Sequence, residues 1–179
     1  CVTVTANRSS TIEDTAVTCL EQICSHLGWP VGHVYLRDNS SPEMLISSGF
    51  WQDKADDAFA AFHESSRHFH LGSSTELPDC VLASGKPKWI VNLGAQEPLS
   101  ERAFAAARAG LRSGFGFPIV VDAKVVGVME FFSDQTIQPA DNFLNMMEHI
   151  GFELGQVIRR QRTEEELRRA KASAEFANR

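Results

Sequence analysis

The sequence lacks the signatures of the common catalytic folds. It has no G-x-x-x-x-G-K-[S/T], no G-x-G-x-x-G, no H-E-x-x-H and no G-x-S-x-G. No P-loop chemistry, dinucleotide cradle, zinc peptidase or nucleophile elbow is therefore expected. Long hydrophobic runs are also absent: nothing approaches the ~18 apolar residues of a membrane span, so this chain is expected to make no membrane contact. Cysteine is sparse. Cys1, Cys19, Cys24 and Cys80 form no C-x-x-C pair and stand at no zinc-finger spacing from a histidine, so no metal site is expected. Unpaired thiols inside apolar patterns suit a reducing, cytoplasmic setting. Basic charge is short as well. The net charge is −6, and the one basic cluster, from Arg159-Arg160 to Arg168-Arg169, is interrupted by Glu164, Glu165 and Glu166. Mixed signs of this kind mark a solvated helix face and exclude a nucleic-acid footprint. No signal peptide is visible, and the chain begins at Cys1 rather than Met, so it reads as a piece of a longer protein.

The sequence does contain a regular alternation of helical and strand patterns in 179 residues, enough chain to bury a core without staples. "SSTIEDTAVTCLEQICSHLGWP" opens a helix. Ser10 and Glu13 have capping-box spacing, and Ile12, Ala16, Cys19, Leu20, Ile23 and Leu27 recur on one face. Gly28 and Pro30 stop it. "VGHVYLRD" and "EMLISSGF" read as two strands joined by a polar turn. "DKADDAFAAFHESSRHFH" predicts a helix that Asp53 can cap, with Ala55, Ala58, Phe59 and Phe62 on one face. A helical turn around Leu77 to Ala83 precedes a short strand, Trp89-Ile90-Val91. "PLSERAFAAARAG" is an alanine-rich helix closed by Gly110. "LRSGFGFPIVVDAKVVGVMEFFS" then predicts a strand pair. Phe115, Phe117, Ile119 and Val121 alternate on one face, Asp122-Ala123 turns the chain, and Val126, Val128 and Phe132 repeat the alternation. From Pro139 onward a helical stripe of Phe143, Met146, Ile150, Leu154 and Val157 leads into a long, polar extension, some 40 residues and ~60 Å if helical throughout. The expected division is a core over 1–137 and a helical linker over 138–179.

Candidate site residues are few. His63, His68 and His70 cluster toward the end of "DKADDAFAAFHESSRHFH", in the predicted helix and the loop after it; they suit a tetrapyrrole contact or a solvated helix end. Cys80 is a candidate attachment or redox site, or an inert half-buried thiol. Glu130 shares a strand face with Val128 and Phe132, where a carboxylate binds a ligand, pairs with a basic group, or faces solvent. Trp51, Phe59, Phe62, Trp89, Phe115, Phe117 and Phe131 line a pocket or fill a core. The Gly114-Phe115-Gly116 glycines read as close packing of a helix against the sheet.

Three stretches together resemble the GAF domain family: "ELPDCVLASGKPKWIVNL", "ARAGLRSGFGFPIVVDAKVVGVMEFFS" and "NFLNMMEHIGFELGQVIRRQRTEEELRRA". The resemblance runs from about Thr11 to Arg169. It implies an α+β fold: a six-stranded antiparallel sheet flanked by helices, a cavity between sheet and covering loops, and a long C-terminal signalling helix. Where the family often reads Gly-Leu-Pro-Gly, this chain reads Glu76-Leu77-Pro78-Asp79, which removes the freedom of positive φ at both ends of that turn. The implied function is sensory. A small molecule, with haem among the candidates, would be held by Trp51, Phe59, Phe62, His63, His70, Cys80, Trp89, Phe115, Phe117 and Glu130. The signal would leave through a homodimeric C-terminal helix, with no enzymatic activity in this chain. Cys80 is followed by Val81 rather than His, which argues against a covalent bilin. "RTEEELRRAKASAEFANR" resembles the segment before the phosphoacceptor helices of sensor histidine kinases; a linker to a diguanylate cyclase is the alternative, and a redox enzyme acting through Cys80 a further one.

Overall fold

The computed structural model describes residues 12–37, 45–53, 57–67, 76–95 and 100–177. Among these, the strands are β1 (Val31–Arg37), β2 (Leu45–Asp53), β3 (Lys88–Ile90), β4 (Ser113–Val121) and β5 (Lys124–Ser133). The helices are α1 (Ile12–Leu27), α2 (Ala60–Arg67), α3 (Leu77–Ser84), α4 (Glu101–Arg108) and α5 (Phe143–Ala177). All strand pairs are antiparallel, in the order β2-β1-β5-β4-β3. The family resemblance implied six strands; the described residues form five, the number that apolar alternation alone picks out. The other described segments carry helical periodicity or short 3-10 turns, so no sixth row of backbone partners forms among them.

Strand alternation divides the interior into two layers. Val34, Phe115, Phe117, Ile119, Met129 and Phe131 point toward α1 and α5. Val31, Tyr35, Val128 and Phe132 point toward α2, α3 and α4. On α1 the predicted face is buried at Ala16, Cys19, Leu20 and Ile23, and Gly28 ends the helix at φ +69°. The β4–β5 turn is the predicted one: Asp122 and Ala123 take φ of 48° and 61° beneath the Val121–Lys124 pair, as a two-residue primed turn requires.

Two expectations shift. Asp53 does not cap a helix. It ends β2, and the chain resumes as a 3-10 turn, Asp57–Phe59, running into α2; Phe59 and Phe62 are buried as expected, while Ala58 is exposed. On α5 the buried stripe is Met147, Ile150, Leu154 and Ile158, and Met146 is half exposed. The reason lies in two glycines. A Cβ on Gly151 would stand 2.1 Å from the Pro118 carbonyl oxygen, and one on Gly155 would stand 1.9 Å from that of Val120. The helix backbone therefore rests directly on β4, and that seam fixes which face turns inward. Beyond Arg162 every residue to Glu175 is exposed, so α5, about 52 Å long at 1.5 Å per residue, projects from the body as a rod.

Candidate functional site

The α2–α4 side of the sheet holds a buried polar cluster inside an aromatic shell. β1 places His33 and Tyr35 on that face, and β5 places Glu130 between Val128 and Phe132. His33 is directly across from Glu130 on one side and from Trp51 of β2 on the other. Neither His33 nor Glu130 exposes any side-chain surface. His33 Nδ1 lies 3.1 Å from Glu130 Oε1, and its Nε2 lies 2.8 Å from Ser47 Oγ. The two His33 ring nitrogens are thus both engaged. Burial lowers its pKa from the ordinary 6.5, with Glu130 opposing, so the neutral imidazole is favoured.

Arg102 ties the cluster together. It stands in the first turn of α4, a helix whose start is capped by Ser100 Oγ accepting from the Ala103 amide at 3.0 Å. Its Nε donates to Ser66 Oγ at 2.9 Å, one η nitrogen donates to Glu76 Oε2 at 3.0 Å, and the other donates to Glu130 Oε1. The guanidinium carbon sits 4.8 Å from the Phe62 ring centroid and 5.5 Å from that of Phe132. Burial opposes the guanidinium charge, but Glu130, Tyr35 and Glu76 outweigh it and the pKa rises. One side chain thereby links α2, the start of α3, α4 and β5. Glu76 explains the departure from Gly-Leu-Pro-Gly. It precedes α3 with φ −70° and ψ 164°, an extended conformation that needs no glycine, and its carboxylate turns inward to Arg102 and Ser100.

On the flank, Trp51 is sandwiched between two imidazoles, with centroids 3.9 Å to His33 and 4.0 Å to His63. His63 Nε2 lies 3.2 Å from Asp53 Oδ2, a contact of opposite charge on protonation rather than an aligned hydrogen bond. His63 and Asp53 keep about a fifth of their side-chain surface exposed and mark the rim. Three polar atoms of the site, Glu130 Oε2, Trp51 Nε1 and His63 Nε2, are buried without a hydrogen-bond partner among the described residues.

Of the ten residues proposed from the sequence, Trp51, Phe59, Phe62, His63 and Glu130 gather on this face. Cys80 is half-buried on α3. Phe115, Phe117 and Trp89 belong to the opposite layer. Gly114 and Gly116 alternate with the phenylalanines, and Gly116 takes the side facing Leu77 and Val81 of α3, so the rings must point toward α1 and α5. Trp89 pairs across from Phe115, stacks on it at 5.4 Å and donates its indole N–H to the Ile137 carbonyl at 2.9 Å. His70, like His68, lies outside the described residues. His33, Arg102 and Glu76 were missed. Arg102 could have been found, because it shares the buried stripe of α4 with Ala105 and Ala106, where a lone cation needs a buried anion. An open groove of about 630 Å³ lies elsewhere, along α5 between Glu153 and Thr163, with charges of both signs and no link to this cluster.

The model of the GAF domain family matches residues 9–159. The chain belongs to the GAF domain family. No curated protein matches the sequence. Solved structures share the fold at low identity. A domain assigned to a two-component sensor histidine kinase of Sinorhizobium meliloti superposes with a TM-score of 0.66 at 21% identity, over 89% of this chain and 99% of that one. The GAF domain of an Acinetobacter phosphoenolpyruvate-protein phosphotransferase gives 0.64 at 18% identity, over 89% of each. The free methionine-R-sulfoxide reductase of Neisseria meningitidis gives 0.67 at 14%, over 88% of this chain and 83% of that one.

Of the described imidazoles at this cluster, His33 has both ring nitrogens engaged and so offers no lone pair to a haem iron, and His63 Nε2 rests against Asp53. Among the described residues no group of three or more His, Cys, Asp or Glu is placed to hold a metal ion. No helix among them is long and apolar enough to cross a membrane.

Proposed function

We propose that this GAF domain is the sensory module of a bacterial signal-transduction protein, a sensor histidine kinase, in which a small molecule on the Arg102 face biases the position of α5 within a homodimer. The observation that carries the reading is the two-ended contact of β4. Through Gly116 it meets α3, which belongs to the site; through the Pro118 and Val120 carbonyls it meets Gly151 and Gly155 of α5. A ligand that favours one setting of α3 and α4 is thus linked, through one rigid strand, to the helix that projects beyond the body. It shifts that setting by no more than its differential affinity for the two states. The exposed half of α5, with Leu167 at 57% exposure, is left to a second copy. A small rotation or slide of paired helices is the expected output. The tail's resemblance supports a kinase; a diguanylate cyclase would accept the same rod.

A reductase reading finds less support. Cys19 and Cys24 lie on α1, beneath the opposite face of the sheet from Cys80, and burial pushes both thiols up to about 12. The test of the sensory reading is disulfide trapping. Leu167→Cys and neighbouring single-cysteine variants along residues 163–175 should cross-link with a period near 3.5 residues. Uniform failure to cross-link, with the chain monomeric at micromolar concentration, would refute it.

A further inference from the structure

The outward side of α5 carries charge in a definite order. Glu153, Val157, Arg160, Glu164, Leu167 and Lys171 follow one another at steps of four and three residues, the spacing that keeps side chains on one stripe of a helix. Val157 is half-buried and the other five are exposed. The stripe cannot roll inward, because Gly151 and Gly155 fix the phase of α5 against β4. Within the chain Arg160 pairs with Glu164 at 3.7 Å, whereas Glu153 and Lys171 join no ion pair among the described residues. The charges beside the stripe satisfy one another: Arg159 lies against Asp122, and Arg169 against Glu165. Residues 1–11 hold one charge, Arg8, and no carboxylate, so that segment has no anion to offer Arg160 or Lys171.

A second copy laid antiparallel, with residue 162 of each chain at the crossing, matches this stripe to itself. Glu153 then faces Lys171 of the other copy, Val157 faces Leu167, and Arg160 faces Glu164, each pairing occurring twice. Arg160 and Glu164 of the two copies close a ring of alternating charges. The neighbouring settings do not match. A parallel pair in register sets Arg160, Glu164 and Lys171 against themselves. An antiparallel pair slid by one heptad sets Arg160 against Lys171, or Glu153 against Glu164. The groove of about 630 Å³ lies at the same place: Glu153, Val157 and Arg160 are among its lining residues, and Leu167, 57% exposed, is the apolar side chain that would enter it over Val157. Exposed charge pairs are weak singly, so they fix direction and register more than affinity. We propose that a second copy of this chain docks its α5 antiparallel in this groove, and that this pairing is a resting state in competition with a parallel one. Only the word resting depends on the sensory reading above. Ala177 of each chain would lie ~22 Å from the crossing, so the two rods end ~45 Å apart on opposite sides, where output modules are kept from one another.

The test uses the 179-residue chain in sedimentation equilibrium. Glu153→Lys and Lys171→Glu each turn two symmetry-related attractions into repulsions, so each should weaken the dimer about tenfold. The double variant Glu153→Lys, Lys171→Glu restores both attractions and should recover the original dissociation constant. In a parallel pair neither reversal matters, because one like pair replaces another. Both side chains are exposed, so circular dichroism should show an unchanged fold. Oxidising an equal mixture of Val157→Cys and Leu167→Cys chains should give the mixed 157–167 disulfide as a main product, identified by peptide mass spectrometry. Single reversals without effect, a double variant as weak as the singles, or self-linked products alone would overturn the proposal. Self-linking of Leu167→Cys reports the parallel pair, so the sensory reading survives that result and the two failures are distinguishable.

Discussion

Replacing Arg102 by Met isolates what the buried cluster contributes. Met keeps much of the apolar stem that fits between Phe62 and Phe132, so the loss is chiefly polar. Three groups lose the guanidinium donor: Ser66, Glu76 and Glu130. Arg102 is 5% exposed and Glu130 fully buried, so water cannot take over from the missing donors. Removing one side of such a buried pair costs about 3–5 kcal/mol, a large share of the ~5–15 kcal/mol that holds a domain together. Urea unfolding followed by far-UV circular dichroism should show the midpoint falling with an unchanged slope. The triple variant Arg102→Met, Glu76→Gln, Glu130→Gln removes the unpaired charges together and should recover more than half of the loss. A single variant that loses under ~1 kcal/mol, or a triple variant no more stable than the single, would refute the account of Arg102 as the tie between α2, α3, α4 and β5.

The other expectations concern the seam and the histidines. Gly155→Ala gains about 1 kcal/mol of helix propensity but places a Cβ 1.9 Å from the Val120 carbonyl oxygen, which only backbone movement relieves. Net destabilisation of roughly 1–3 kcal/mol and an altered α5 cross-linking pattern are expected; a rise in the urea midpoint would show that the helix does not rest on the strand. For pH, His33 and His63 both have pKa values lowered in the fold, His33 by burial and His63 by burial with Asp53 opposing. The unfolded chain therefore binds protons more readily, and stability rises with pH. Their contribution is fully present above the ordinary 6.5 and is lost as pH falls below it. Midpoints measured between pH 5 and 8 should climb toward 8, and His33→Gln should flatten the slope; an unchanged slope would count against a neutral buried imidazole.

Much of the fold was legible because it follows from local rules. Period-two alternation marked β4 and β5, the Asp122-Ala123 turn fell where expected, and the apolar stripe of α1 with Gly28 behind it needed no tertiary knowledge. The same alternation also held a warning about the pocket. Gly114 and Gly116 alternate with Phe115 and Phe117, so a helix packed on the glycines excludes the rings from its own side. Reading all the aromatics as one pocket overlooked that parity. The stripe on α5 held at Ile150 and Leu154 but moved by one residue at its flanks, from Met146 to Met147 and from Val157 to Ile158, because its phase is set by Gly151 and Gly155 lying on β4, a contact between distant segments.

The sequence alone determined most strands and helices, the sidedness of α1, β4 and β5, and the poverty of reactive groups, since these depend on neighbours within a few positions. Tertiary structure alone decided the site. His33, Glu76, Arg102 and Glu130 come from four elements spread across nearly a hundred residues, and each carries a charge or a polar ring that burial would penalise in isolation. Only when the sheet brings β1 beside β5 and α4 closes over them do those costs offset one another. No window of sequence contains that balance, because it exists only between residues that the chain keeps far apart.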